Sequence, residues 1–152
     1  MALNLSTVLP DSAVVLGARP SDWREAVRVA GEALVRSGCT TEPYTRAMVQ
    51  AVEDLGPYIV IAPGIAIAHA RPSEAVVRSG LSWVRLAVPV NFGHTHNDPV
   101  HLVIGLAARN PQDHLKVMSA VAGALADKKQ AAALAAASKG EQIRAILAAS
   151  AG

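Results

Sequence analysis

The sequence predicts an α/β fold in which helices cover both faces of a β-sheet. Two segments with helical periodicity lie between residues 21 and 56, and several short, apolar, β-branched segments follow them. The last third of the chain returns to helical periodicity. A length of 152 residues suits one domain that buries its own core. We therefore expect a single domain that spans residues 1–152.

The composition limits the classes of function. Hydrophobic residues make up 51% of the chain and aromatic residues only 3%, so the core must be aliphatic. Charged residues make up 17%, which is low for a solvated surface and indicates that some face meets a partner. The net charge is +2 and the Lys and Arg residues do not cluster, which argues against nucleic-acid binding. Cys39 is the only cysteine, so an internal disulfide is excluded and we expect a small buried side chain.

The N-terminal residues 1–6 lack the basic and apolar regions of a signal peptide. The uncharged segments fall short of the roughly 20 residues that a membrane-spanning helix needs. We expect a soluble, cytoplasmic protein.

The first third of the chain holds a weak strand signal at residues 13–16 and then two helices. The first helix begins at Ser21, whose hydroxyl can accept from free amides of the first turn, and stops at Gly38. The second begins at Thr41, with a proline just inside its start, and ends at Gly56. We interpret their apolar stripes as core faces: Trp23, Ala26, Val27, Ala30, Leu34 and Val35 in one, and Tyr44, Met48, Ala51, Val52 and Leu55 in the other.

The middle of the chain predicts strands. Residues 58–62 are typical of a buried strand, a Pro-Gly break follows, and residues 65–68 resume the extended pattern. Residues 81–88 alternate, with Ser82 or Arg85 on an outer face, and residues 100–107 form another apolar run.

The remaining sequence is helical. Asn110 is a typical N-cap, because Pro111 occupies the first helical position and Asp113 the third. This helix continues through Leu125, and an Ala-rich helical tail divided at Gly140 completes the chain.

Two of the five histidines occupy positions where chemistry is plausible. His69 ends the apolar run of residues 65–68 and so lies at the rim of the core. His114 lies in the first turn of a capped helix, where free amides and the helix dipole favour anions such as phosphate. If the two meet, one imidazole can act as a nucleophile while the other donates to the oxygens of a phosphoryl group. Each histidine also has a purely structural interpretation. His69 would end a strand and bond to a backbone carbonyl, and His114 would be an exposed helix residue.

A metal site is the competing interpretation of the histidines. His94, His96 and His101 lie close together in the sequence, with Asp98 as an oxygen donor. Their spacing fits no common zinc pattern, so we expect His94 and His96 to be solvated loop residues, and we expect neither a metal nor an organic cofactor. The sequence also lacks the Gly-x-Ser-x-Gly turn of many hydrolases and a Gly-rich phosphate loop.

Four segments together resemble a known family. They are GPYIVIAPGIAIAHARP (residues 56–72), VNFGH (90–94), NDPVHLVIGLAA (97–108) and DHL (113–115). In this order they are similar to enzyme IIA of the bacterial phosphoenolpyruvate-dependent sugar phosphotransferase system, in the mannitol/fructose class and closest to its ascorbate-type branch. The resemblance covers nearly the whole chain. It implies a three-layer α/β/α sandwich around a small mixed sheet.

The resemblance also implies a function and partners. His69 would accept a phosphoryl group from the histidine of HPr and pass it to a cysteine of enzyme IIB, which feeds a membrane transporter, enzyme IIC. His114 would be the second active-site histidine. We expect a shallow depression around His69 with an apolar rim of Ile65, Ile67 and Phe92, and transient contact with the transporter.

The sequence departs from the family pattern at two places. Ala68 stands where the family commonly has proline, and the helix before the active strand lacks the arginine of the mannitol branch. Arg71 is the candidate replacement as the charge partner of the phosphate. Regulatory relatives of nitrogen type carry the equivalent histidine, so a phosphorylation-dependent binding module stays open as the alternative. The sugar and the oligomeric state stay open as well.

Overall fold

The computed structural model describes residues 4–150 of the chain. Residues 1–3 and 151–152 lie outside the described residues. Residues 1–3 belong to the N-terminal segment in which the sequence predicts no signal peptide. Within residues 4–150 there are five strands and five α-helices: β1 (Val14–Ala18), α1 (Trp23–Arg36), α2 (Glu42–Leu55), β2 (Val60–Ala62), β3 (Ile65–His69), β4 (Gly80–Val90), β5 (Val100–Ala107), α3 (Pro111–Ala126), α4 (Lys128–Ala136) and α5 (Gly140–Ser150).

The strands form one mixed sheet in the order β1-β4-β5-β3-β2. β1 runs parallel to β4 and β3 runs parallel to β5, whereas the β4–β5 and β2–β3 pairs are antiparallel. His69, the last residue of β3, is in register with Leu106, next to the end of β5. Because parallel strands end at the same edge, the end of β3 lies beside the start of α3, which follows β5 after three residues.

Helices pack on both faces of the sheet. One core lies under α1 and α2 and includes Ala66 and Ala68 of β3, while the other includes Ile67 of β3 and the buried residues of α3, α4 and α5. Side chains alternate between the faces of a strand, so His69 shares the parity of Ile67 and belongs to the α3 side. The predicted three-layer α/β/α sandwich around a mixed sheet is confirmed.

Two helix starts show how local chemistry sets the boundaries. The Asn110 side chain accepts a hydrogen bond from the Asp113 amide at 2.8 Å, as predicted. In α1 the cap is one residue later than predicted, because the Asp22 carboxylate accepts from the Glu25 amide at 2.9 Å. The Ser21 hydroxyl instead donates to the Glu25 carboxylate at 2.6 Å.

Two predictions about the strands are wrong, because an edge strand is more exposed than expected and a central strand is more buried than expected. Residues 58–62 are not a buried strand: β2 is a short edge strand, and Tyr58 and Ile61 are exposed. Neither Ser82 nor Arg85 is on an outer face, because helices cover both faces of β4. Ser82 is fully buried and donates to the Ala30 carbonyl at 2.8 Å, and Arg85 donates to the Ala135 carbonyl at the end of α4.

The core assignments of α1 and α2 are correct for most positions. Cys39 is buried, as predicted. Val35 and Leu55, expected on core faces, are exposed instead, and Leu55 is 70% exposed. Leu55 is the last residue of α2, where the helix has run past the edge of the sheet. In the part of the chain that the structure describes, every helix is too short or too polar to cross a membrane.

Candidate functional site

A depression of about 490 Å³ opens at the edge of the sheet where β3 ends. It brings together His69, His114 and Arg71, the three candidate residues of the sequence. The other lining residues are mostly apolar: Ala51, Leu55, Tyr58, Ala70, Pro72, Pro111 and Leu115. Among residues 4–150 the lining includes no carboxylate, so an anion entering the depression meets no negative side chain from this part of the chain.

The ring of His69 is held in one tautomer. Its Nδ1 lies 2.9 Å from the carbonyl oxygen of Ile67. A carbonyl can only accept, so Nδ1 carries the proton and Nε2 keeps its lone pair. Burial lowers the pKa of His69, and the neighbouring His114 adds to that lowering, while the hydrogen bond to Ile67 opposes it. The imidazole is therefore neutral near pH 7, with Nε2 as its available nucleophilic atom.

His114 faces His69 from the first turn of α3. The two ring centroids are 5.2 Å apart and the ring planes are inclined by 58°. Nδ1 of His114 is buried and, among the described residues, has no hydrogen-bond partner. A buried polar atom without a partner is costly, and the fold tolerates this cost at His114. Tyr58 closes the other side of His69, edge to face, with centroids 5.5 Å apart.

Arg71 is exposed at the rim of the depression. Within the described part of the chain, its guanidinium makes neither a hydrogen bond nor an ion pair. A guanidinium presents five N–H donors in a planar fork that matches phosphate oxygens. Arg71 is thus available to an anion bound between the two histidines.

Two hydroxyl groups, those of Tyr44 and Ser79, fix the backbone around the site, and sequence reasoning did not identify them. The buried hydroxyl of Tyr44 lies 2.7 Å from the Leu106 carbonyl and 3.0 Å from the Ala70 amide, so it ties α2 to the residue after His69. The Ser79 hydroxyl donates to Asp113 at 2.9 Å and accepts from the Arg109 amide at 3.0 Å, which ties the residue before β4 to the start of α3. The only sequence signal for Tyr44 was a polar tip within an apolar stripe, and Ser79 gave none.

The apolar rim differs from the expected one. Ile67 is fully buried, Ile65 packs against the core on the α3 side, and Phe92 is buried beside Trp23, so none of the three lines the depression. The exposed apolar side chains beside His69 are Leu55, Tyr58 and Leu115. Sequence reasoning placed Leu55 in the core and used Leu115 only as part of the DHL segment, since local periodicity does not show where a helix leaves the sheet.

Of the other histidines, His94 and His96 lie in the loop before β5, and His101 lies on β5 itself. Nδ1 of His94 accepts from the Asn97 amide at 3.1 Å, and the Asp98 carboxylate accepts from three successive backbone amides, those of Phe92, Gly93 and His94. His101 packs against Gly64. In residues 4–150 no three His, Cys, Asp or Glu side chains come together in a way that could hold a metal ion. The geometry thus favours local structural roles for His94 and His101 over the metal interpretation.

The chain matches a family model over residues 7–150. The model describes "Phosphoenolpyruvate-dependent sugar phosphotransferase system, EIIA 2". Among curated proteins, the ascorbate-specific PTS system EIIA component of Escherichia coli K12 is 39% identical over 107 residues, which is 70% of each chain.

Solved structures agree with this match. The mannitol-specific cryptic phosphotransferase enzyme IIA CmtB from Escherichia coli superposes with a TM-score of 0.84 at 28% identity, over 97% of this chain and 99% of that one. Enzyme IIA of mannitol, solved in complex with phosphorylated enzyme IIB of mannitol from Escherichia coli, gives 0.81 at 30% identity, over 92% and 96%. The nitrogen regulatory protein IIA-Ntr from Neisseria meningitidis gives 0.79 at 29% identity, over 93% and 97%.

The fold, the pair of histidines at the strand end and the family match over residues 7–150 all lead to the same conclusion. The chain belongs to the EIIA 2 family of the phosphoenolpyruvate-dependent sugar phosphotransferase system and is a phosphocarrier component of that system.

Proposed function

We propose that Nε2 of His69 is the atom that carries the phosphoryl group. The observation that carries this proposal is the depression in which the free Nε2 shares its space with His114 and Arg71. Nε2 attacks the phosphorus of a phosphohistidine on HPr, and the P–N bond of the donor breaks, leaving its electron pair on the donor nitrogen. A cysteine thiolate of enzyme IIB then attacks the same phosphorus, and the bond to Nε2 breaks in turn.

His114 and Arg71 stabilise the transferred group in this proposal. The charge of a phosphoryl group in transfer is spread over its oxygens, and donors aimed at those oxygens lower the barrier. His114 lies 5.2 Å from His69 between ring centroids, so both imidazoles are within reach of one phosphoryl group carried on His69. Arg71 supplies a positive charge from the rim. The N-terminal end of the α3 dipole adds a partial positive charge.

The apolar rim is the docking surface for both partners. Leu55 and Leu115 are 70% and 66% exposed on opposite sides of the depression. Burying such side chains on contact provides affinity and excludes water from the transferred group. Because the same rim meets the donor and the acceptor in turn, each complex must be small and transient.

The carbohydrate is of ascorbate type in this proposal. The support is the 39% identity to the ascorbate-specific component of Escherichia coli K12. Residues 1–152 act as one enzyme IIA domain in the cytoplasm and reach the membrane transporter, enzyme IIC, only through enzyme IIB.

A regulatory module is the second candidate, since the nitrogen regulatory IIA protein of Neisseria meningitidis has the same fold. Such a module would also be phosphorylated on His69 but would not serve a transporter. Transfer to enzyme IIB separates the two functions, because only the transport component must pass the group on to a cysteine.

Intact mass after incubation with phosphoenolpyruvate, enzyme I and HPr tests the carrier function. The wild type and His96→Ala should each gain one acid-labile phosphoryl group, whereas His69→Ala should gain none. His96 is the matched control, because it is an exposed loop histidine outside the depression. Adding ascorbate-type enzyme IIB should then remove the group from the wild type. Failure of the wild type to gain mass would refute the proposal, and gain without discharge to enzyme IIB would favour the regulatory module.

A further inference from the structure

We propose that Tyr44 is a positioning residue for His69. Its hydroxyl holds the backbone beyond β3 so that Nδ1 of His69 stays on the Ile67 carbonyl and Nε2 stays in the depression. This inference rests on the proposed function, because it assigns the phosphoryl group to Nε2.

The hydroxyl of Tyr44 connects three separate parts of the fold. It lies 2.7 Å from the Leu106 carbonyl on β5, and it accepts from the Ala70 amide at 3.0 Å. The Ala70 carbonyl lies 3.1 Å away as a second acceptor. The hydroxyl has only one proton, so the shorter contact to Leu106 is the principal donor bond and Ala70 shares it.

The contacts converge on His69. Ala70 is its direct neighbour in the chain, and Leu106 is its register partner on the adjacent parallel strand. Tyr44 therefore holds the peptide that follows His69 against the strand that flanks it. The hydrogen bond from Nδ1 to Ile67 spans two residues of the same chain, so it depends on this backbone staying extended to the end of β3.

The hydroxyl is suited to a fixed structural role. Tyr44 is 1% exposed, so water cannot replace its contacts. Burial raises the pKa of Tyr44 to about 12, so the group keeps its proton at physiological pH. Tyr44 does not line the depression and touches no transferred group, which distinguishes it from a catalytic residue.

The test compares Tyr44→Phe with Ser82→Ala. Each change removes one buried hydroxyl that joins a helix to the sheet, but the Ser82 hydroxyl donates to Ala30 of α1 and, among the described residues, has no hydrogen bond to residues 69–72. Ser82→Ala thus controls for general loss of stability. The readouts are the ¹⁵N shifts of the His69 ring in the unphosphorylated protein, and the turnover and KM for phosphorylated HPr at equal folded fraction.

Tyr44→Phe should show a mixture of Nδ1–H and Nε2–H tautomers at His69, and turnover should fall roughly tenfold with KM nearly unchanged. Ser82→Ala should keep the wild-type ring shifts and turnover. Wild-type shifts and turnover in Tyr44→Phe would overturn the inference. The ring shifts need no phosphoryl transfer, so they decide the positioning role even if the wild type proves unable to accept phosphate, a result that would refute the proposed function instead.

Discussion

His69 and His114 face each other with ring centroids 5.2 Å apart, although they are 45 positions apart in the chain. One ends a strand and the other begins a helix, and the two elements meet because β3 and β5 are parallel neighbours. His69 is fixed by a carbonyl behind it, whereas Nδ1 of His114 has no partner within residues 4–150. The pair thus places an imidazole whose Nδ1 is fixed on a carbonyl beside a second imidazole from another element.

The pH dependence of transfer should follow His69. Burial lowers its pKa below the usual value of about 6.5, so the ring is neutral at and above that pH. At and above that pH, the ionisation of His69 should not change the transfer rate. The rate should fall only at lower pH, where Nε2 becomes protonated. A ring titration by NMR checks the pKa directly, and a His69 pKa above the usual value would contradict the prediction.

The lowered pKa of His69 should also make the free energy of unfolding depend on pH. The folded pKa of His69 is lower than the unfolded one, so between the two values the unfolded state binds more protons. The free energy of unfolding should therefore rise with pH through this window, reach its full value above about pH 6.5, and decline as the pH falls. His69→Gln should lose this part of the pH dependence in denaturant unfolding, whereas His96→Ala should retain it.

Removing the second imidazole should slow transfer. In His114→Ala the transferred group loses a donor, so turnover should fall roughly a hundredfold while His69 remains the phosphorylated residue. His114→Gln restores a side-chain N–H and should recover part of the rate. Rapid-quench kinetics with phosphorylated HPr provides the measurement. If His114→Ala transfers at the rate of His96→Ala, His114 has no role in the reaction.

Arg71 should contribute through its charge. Arg71→Ala should lower turnover roughly tenfold and make it less sensitive to salt, because a charge-assisted contact to phosphate is lost. Arg71→Lys keeps the charge but not the planar fork, so its turnover should lie between those of Arg71→Ala and the wild type. Arg28→Ala, which removes an exposed arginine of α1 outside the depression, is the control for net charge. Equal salt dependence in Arg71→Ala and the wild type would exclude this role.

The rim should act on binding more than on chemistry. Leu115→Ser removes an apolar side chain that is 66% exposed, so folding stability should change little. KM for both partners should rise roughly five- to tenfold, since about 1 kcal/mol of burial on docking is lost. Val88→Ser, at an exposed valine of β4 away from the depression, should leave KM unchanged. A fall in turnover at constant KM would show that Leu115 is not a docking residue.

Two glycines should respond to the same substitution with opposite signs. A Cβ on Gly105 of β5 would overlap the Ser82 hydroxyl and lie 3.2 Å from the Ala30 carbonyl oxygen, so Gly105→Ala should cost about 1–3 kcal/mol by overpacking. A Cβ on Gly123 of α3 meets nothing within 4 Å, so Gly123→Ala should stabilise by about 0.5–1 kcal/mol through helix propensity. Denaturant unfolding measures both, and a common sign would contradict the packing described for β5 and α1.

Predictions from local patterns succeeded where local physics decides the structure. The Asn110 cap, the end of β3 at His69 and the α/β architecture all follow from capping chemistry, side-chain periodicity and chain length. The errors occurred where neighbours in space decide. The edge position of β2 exposed Tyr58 and Ile61, and the helices on both faces of β4 buried Ser82.

The sequence by itself determined the elements of this protein and the two histidines at their ends, because caps, breaks and periodicity act between residues close in the chain. Only the tertiary structure decided that the two rings meet, that Leu55 and Leu115 form the rim, and that Tyr44 holds the end of β3. These depend on the parallel register of β3 with β5 and on how α2 and α3 cross the sheet edge, and such long-range pairings leave no periodic signal in the chain.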